Sequence, residues 1–203
     1  ILKKNAKNII IISEKKNNPL RTISKKFRLY FVEHKINIGG RYSVLSEVGM
    51  LPAELMGLNI SKFKQLNNLI KNKKYLNHLV NNVEAILYFI KIKKYNSIII
   101  NYDEKSTNLF NWYQQLVAES LGKKSKGILP IVSNMPKDNH SVMQLYLDGI
   151  ENNFYTFFIV KEKKFQTLKN KILLPSHKFL KNKNLFEIMS AQKKATEIVF
   201  KKK

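Results

Sequence analysis

Apolar residues fall along this chain in two alternating rhythms. Short continuous runs, Asn8–Ser13 and Ser97–Asn101, are bounded by polar residues. Runs of this kind suit strands buried on both faces, as in a parallel sheet. Leu29–Val32, Gly127–Val132 and the aromatic, branched Asn153–Val160 read as further strands. Between them the spacing changes to threes and fours. Asn17-Asn18-Pro19 opens a helix through Phe27, with Pro at an early helical position. Gly39-Gly40 breaks the chain before the mostly apolar Tyr42–Leu58. Lys62–Asn72 has a helical pattern. Tyr75–Lys91 has a stronger one, with Leu76, Leu79, Val80, Val83, Ile86, Leu87 and Ile90 along one face. Ser106 or Thr107 caps a helix to Leu121, and Gly122 stops it. Ser141–Leu147 is a short helix, and a last helix runs from about Asn184 to Phe200.

Strands alternating with helices predict an α/β fold: a three-layer sandwich with a mostly parallel sheet flanked by helices. The 203 residues suffice for one domain with a substantial core. The pattern assigns residues 1–160 to that domain, and 161–203 to a polar arm followed by the C-terminal helix. Within the arm, Gln166–Leu174 is weakly organised ahead of Pro175.

Charge changes this picture little. The formal net charge is +23, which raises nucleic acid or an anionic membrane as partners. The cations are mostly Lys, spread over the whole length and mixed with Asn and Ile. Nucleic-acid sites more often use Arg, whose planar fork reads phosphates and guanine edges. Most Phe and Tyr sit inside apolar runs rather than where bases would stack. The lysines therefore read as solvated faces, the terminal Lys201–Lys203 as a frayed end, and no specific nucleic acid is expected. The chain has no Cys, which excludes disulfides, thiolate metal sites and Cys nucleophiles. No apolar run approaches the roughly 18 residues of a membrane span, and no signal-peptide pattern is present. A cytoplasmic protein with no membrane partner is expected.

Three stretches carry candidate chemistry. Residues 38–43 read Ile-Gly-Gly-Arg-Tyr-Ser. Paired glycines at a strand-to-helix turn let a backbone approach a ligand, and a following helix would aim N–H groups there. Arg41 adds a cation. Residues 112–122 read Trp-Tyr-Gln-Gln-Leu-Val-Ala-Glu-Ser-Leu-Gly. Here Leu109, Phe110, Tyr113, Leu116 and Val117 form an apolar stripe. Gln115 and Glu119, four apart, project together from one face. Residues 136–149 read Pro-Lys-Asp-Asn-His-Ser-Val-Met-Gln-Leu-Tyr-Leu-Asp-Gly and carry His140. His34, His78 and His177 read as surface residues or local caps.

In this order the three stretches resemble the second half of the glucose-6-phosphate isomerase family. The run from Asn37 to Pro52 follows the family signature. Gln115, Glu119, Gly122 and Lys123 stand at its spacing. His140 lies 21 residues after Glu119, as in the short bacterial forms. The resemblance implies a second sugar-isomerase domain over 1–160, of flavodoxin-like architecture. It implies that Glu119 moves a proton between C1 and C2 of the sugar, that Arg41 stabilises the enediolate, and that Gly40 and Gln115 bind substrate. It implies that His140 assists ring opening from the neighbouring subunit of a dimer. A carboxylate base and an imidazole suit these tasks when their pKa values lie near working pH. No metal and no cofactor are expected.

The family's Ser/Thr-rich phosphate loop has no counterpart here, nor has its closing Phe-Asp-Gln segment with a catalytic Lys. The chain opens on Ile close to a strand. A fragment is therefore expected, poorly active or inactive alone, because it lacks the remote binding energy that positions the sugar. The alternative is a non-catalytic sugar-phosphate-binding domain of the same fold. Such a domain needs the turn but not Glu119 and His140 together.

Overall fold

The computed structural model describes residues 6–161, 167 and 174–202. Residues 162–166 and 168–173 of the expected arm, and with them most of the Gln166–Leu174 stretch, lie outside the described residues, as does Lys203. Two compact units divide the chain, Ile1–Val80 and Asn81–Lys203.

The first unit carries a two-stranded parallel sheet, β1 (Ile10–Ser13) with β2 (Tyr30–Glu33). Helix α1 (Pro19–Phe27) connects them. Pro19 sits in its first turn as expected, and the Asn18 carboxamide oxygen accepts the Arg21 N–H at 2.9 Å. That bond satisfies one of the free N–H groups at the helix start. Gly40–Leu45 forms a 3-10 helix, and α2 (Glu47–Leu55) follows. The expected helix over Lys62–Asn72 divides into α3 (Ser61–Lys64) and a 3-10 segment, Gln65–Lys71.

Helix α4 (Lys73–Lys91) crosses the division between the units and matches its expected span. None of its side chains is buried; Val80 is 62% exposed.

The second unit is built on a three-stranded sheet, order β4-β3-β5, parallel throughout. Its strands are β3 (Asn96–Asn101), β4 (Leu129–Asn134) and β5 (Asn153–Phe158). Strand β3 lies in the middle, so every side chain of Ile98, Ile99 and Ile100 is buried. This is why its sequence is a continuous apolar run rather than an alternating one. Ile98, Ile100, Tyr102 and Met135 form the core cluster, with Ile131, Tyr155 and Phe157 packed against it. Asparagines close both ends of the sheet. Asn96 donates to Asn152 and Asn153 at 2.8 and 2.9 Å, and Asn101 donates to Asn134 at 3.0 Å.

Helix α5 (Thr107–Leu121) joins β3 to β4, and α6 (Lys137–Ser141) and α7 (Met143–Asp148) join β4 to β5. The expected single helix over Ser141–Leu147 is thus two, divided at Val142. Neither Ser106 nor Thr107 caps α5 with its side chain. The Ser106 hydroxyl instead donates to the Asp103 carboxylate, and the Thr107 hydroxyl to the Glu104 carbonyl at 2.8 Å. The last helix, α8 (Leu185–Lys202), runs through Lys201 and Lys202, so these are helical rather than frayed. The expected α/β architecture of parallel strands flanked by helices is present. Its five strands pair as two sheets, and no single sheet joins them among the described residues.

Candidate active site

The Gly-Gly-Arg turn belongs to the first unit. Gly39 and Gly40 follow β2, and the element they open is a six-residue 3-10 helix, not the α-helix expected from sequence. Side chains hold this turn. The Ser43 hydroxyl donates to the Gly40 carbonyl, and the Ser46 hydroxyl to the Ser43 carbonyl, each at 2.7 Å. A Cβ built on Gly40 would meet nothing within 4 Å, so there is open space beside it. Gly49 is the opposite case. A Cβ there would stand 2.0 Å from the Val44 carbonyl oxygen, so only glycine lets α2 pack this closely on the preceding turn. Arg41 is half-buried at the start of the 3-10 helix.

His34 is more than the surface residue or local cap that sequence suggests. Its side chain is only 15% exposed. Nδ1 faces Glu47 Oε1 at 2.5 Å, and Nε2 faces the Ile38 carbonyl oxygen at 2.9 Å. The Lys35 N–H donates to the same Glu47 oxygen at 3.3 Å. The hydrogen bond to Glu47 raises the His34 pKa above its ordinary value. Glu47 is lowered by its own backbone N–H first, and by the His34 ring as well. No spacing rule links residues thirteen apart across a turn, so sequence carried no signal for this pair.

Gln115 and Glu119 sit in the second unit on the exposed face of α5. The Gln115 amide donates to Glu119 Oε1 at 3.0 Å, so the expected one-turn pairing is present. The neighbouring Gln114 faces inward and donates to the Pro130 carbonyl at 2.9 Å, fastening α5 to β4. A Cβ on Gly122 would stand 2.6 Å from the Ala118 carbonyl oxygen, which makes glycine the fitting stop for this helix.

His140 is exposed on α6, just beyond the C-terminal end of β4. Asp138 places this helix. Its Oδ2 accepts the Asn134 N–H at 2.8 Å and the Ser133 hydroxyl at 3.2 Å. Sequence reasoning passed over Asp138, although a carboxylate two residues before the His, at a strand-to-helix junction, is a recognisable signal.

Within one chain Glu119 and His140 belong to different ends of the sheet. Helix α5 starts at the edge where β3 and β4 finish; Thr107 donates there to Asn134 at 3.2 Å. The helix rises about 1.5 Å per residue, which carries Glu119 about 18 Å along α5 from that edge. The His140 helix begins at the edge itself.

No family model matches the chain. Individual proteins do. It is 34% identical over 174 residues to glucose-6-phosphate isomerase of Methanocaldococcus jannaschii, covering 80% of this chain and 41% of that protein. It is 33% identical over 166 residues to glucose-6-phosphate isomerase of Mycoplasmopsis pulmonis, covering 79% and 39%. It is 30% identical over 192 residues to the probable glucose-6-phosphate isomerase of Methanococcus maripaludis, covering 92% and 43%. A crystal structure of a hypothetical protein from Thermus thermophilus shares the fold, with a TM-score of 0.80 and 22% identity over 97% of this chain and 49% of that one. Over most of its length the chain is homologous to part of glucose-6-phosphate isomerase, and it spans about two fifths of these curated relatives.

Proposed function

We propose that this chain supplies the base, the oxyanion-stabilising cation and the imidazole of a glucose-6-phosphate isomerase. The reaction interconverts D-glucose 6-phosphate and D-fructose 6-phosphate, a step of glycolysis and gluconeogenesis. One observation carries this reading. An exposed carboxylate, Glu119, stands one helical turn from a Gln115 amide that donates to it at 3.0 Å, in a chain homologous to named isomerases.

The chemistry follows as charges and protons. His140 assists proton transfer to the ring oxygen as the sugar opens. Glu119 takes the proton from C2, and the released electron pair moves into the C1 carbonyl. Arg41 stabilises the negative oxygen of the resulting cis-enediolate, an electrostatic contribution that is usually among the largest in such sites. The O2 hydroxyl proton passes to O1, the O2 electron pair forms the C2 carbonyl, and the protonated Glu119 delivers its proton to C1, which completes the ketose. Gln115 orients the Glu119 carboxylate, and the open space beside Gly40 admits the substrate. The net charge of +23 favours approach of a dianionic phosphate ester.

The wide spacing of Glu119 and His140 favours a homodimer in which each copy lends His140 to the other. In this reading residues 1–160 are the sugar-isomerase domain, 161–203 are an arm and terminal helix, and the protein works in the cytoplasm. The 203 residues alone turn over slowly or not at all, because they span only part of the relatives' length.

The test is hydrogen exchange at C1 of fructose 6-phosphate in labelled water, catalysed by the full-length polypeptide containing these residues. Exchange that disappears in Glu119→Gln is the expected result. Sugar-phosphate binding without exchange in the unmutated protein identifies a non-catalytic domain and overturns the proposal. Near-normal turnover by the 203 residues alone contradicts the expected dependence on the rest of the protein.

A further inference from the structure

The imidazole of His34 bridges two acceptors. Nδ1 faces the Glu47 carboxylate at 2.5 Å and Nε2 faces the Ile38 carbonyl at 2.9 Å. A neutral imidazole has one N–H and can donate to only one of them; the imidazolium donates to both. The two acceptors flank the Gly-Gly-Arg turn. Ile38 precedes Gly39 directly. Glu47 opens α2, just after the Ser46 whose hydroxyl holds the Ser43 carbonyl. The turn is therefore closed into a ring: Ile38, the 3-10 helix of Gly40–Leu45, Ser46, Glu47, and back through His34. The His34 backbone is itself anchored, its N–H donating to the Ser13 carbonyl at 2.9 Å.

We infer that His34 is a positioning residue for Arg41: as an imidazolium it ties Glu47 to the Ile38 carbonyl and holds the Gly39–Arg41 turn closed, and on deprotonation it lets one side go. The inference rests on the role proposed above for Arg41. It adds a device that tunes that role with pH. The charged groups acting on His34 are Glu47 on α2 and Glu14 after β1, both of which favour its protonated form. Lys16 is paired with Glu14. The raised His34 pKa agrees with the geometry.

The test is a double-mutant cycle on kcat and KM in the full-length polypeptide, measured across pH. Arg41→Ala alone sets the reference, with an expected loss of about 10²–10³ in kcat for one oxyanion-stabilising group. His34→Ala is expected to lower kcat at least about tenfold with little change in KM, and to cost almost nothing further in the Arg41→Ala background. His34→Asn and His34→Gln guard against a variant that fails to fold. Asn places its amide near the Nδ1 position and Gln near Nε2, so each keeps one donor and neither titrates. In both, the alkaline fall in kcat due to His34 is expected to vanish.

The outcomes separate the two claims. If Arg41→Ala leaves kcat intact, the role of Arg41 fails. If Arg41→Ala is damaging while the His34 variants keep the kcat and pH profile of the unmutated protein, the positioning claim fails. Equal losses from His34→Ala in both Arg41 backgrounds also overturn it, because they mark a structural role independent of Arg41.

Discussion

The turn that carries Arg41 and the helix that carries Glu119 are built in opposite ways. The turn has little regular structure of its own. A 3-10 segment, two serine hydroxyls, the His34–Glu47 bridge and a glycine with no room for a Cβ give it shape. The helix needs none of this. It is fastened to β4 from its inner side through Gln114, and its outer side carries Gln115 and Glu119. One proposed functional group rides on a turn shaped by side-chain contacts; the other rides on a regular helix. Changes in the two regions should therefore separate activity from stability in different ways.

The largest expected effect lies on the helix. Glu119→Gln should lower turnover by about 10²–10⁴-fold, the usual worth of a general base. Thermal unfolding should be unchanged, since the side chain is exposed. A variant that loses both together would mean that Glu119 supports the fold.

Gly49→Ala makes the contrast from the other side. The added methyl collides with the Val44 backbone, and overpacking of this kind costs about 1–3 kcal/mol. Denaturant titration should show that loss. Activity should fall with it, although Gly49 touches no proposed substrate group. Gly40→Ala, with open space at the same distance, should leave stability unchanged and raise KM.

These two glycines also mark what could be read from sequence. The run from Asn37 to Pro52 identifies the turn, but only packing tells which glycine has no room for a Cβ and which borders open space. The strands were readable because β3 is buried on both faces and so runs Ile-Ile-Ile. The Asn18-Pro19 start of α1 was readable because capping is a local rule. The Ser106 cap was misread because Asp103, three residues earlier, competes for that hydroxyl. The break at Val142 was missed because both short helices carry helical residues on either side of it. His34 was underrated because its partners come together only when the chain folds back at Gly39-Gly40.

A smaller effect is expected at the first helix. Asn18→Ala removes the cap on α1 and should cost about 1 kcal/mol, visible as a shifted denaturation midpoint.

The pH dependence of stability is subtler still. The folded pKa of His34 lies above its ordinary 6.5, so its contribution is complete below pH 6.5 and is lost as pH rises through the raised value. The folded pKa of Glu47 lies below its ordinary 4.5. Its contribution is complete above pH 4.5 and is lost as pH falls through the lowered value. The first unit should thus be most stable between about pH 4.5 and 6.5 with respect to this pair. Hydrogen exchange of the Tyr42 amide, which donates to the Gly39 carbonyl at 2.9 Å, should slow in that window and quicken above it. A pH-independent rate, once base catalysis of exchange is corrected for, would disconnect the pair from the turn.

The most direct test of a site shared between copies is subunit complementation in the full-length polypeptide. Glu119→Gln and His140→Gln homodimers should each be nearly inactive. When the two are mixed, unfolded and reassembled, half the dimers should be mixed. Each mixed dimer should hold one intact site, restoring about a quarter of full activity for a symmetric dimer with two shared sites. Reassembly that forms mixed dimers yet restores no activity would contradict the account, because base and imidazole would then have to come from the same chain.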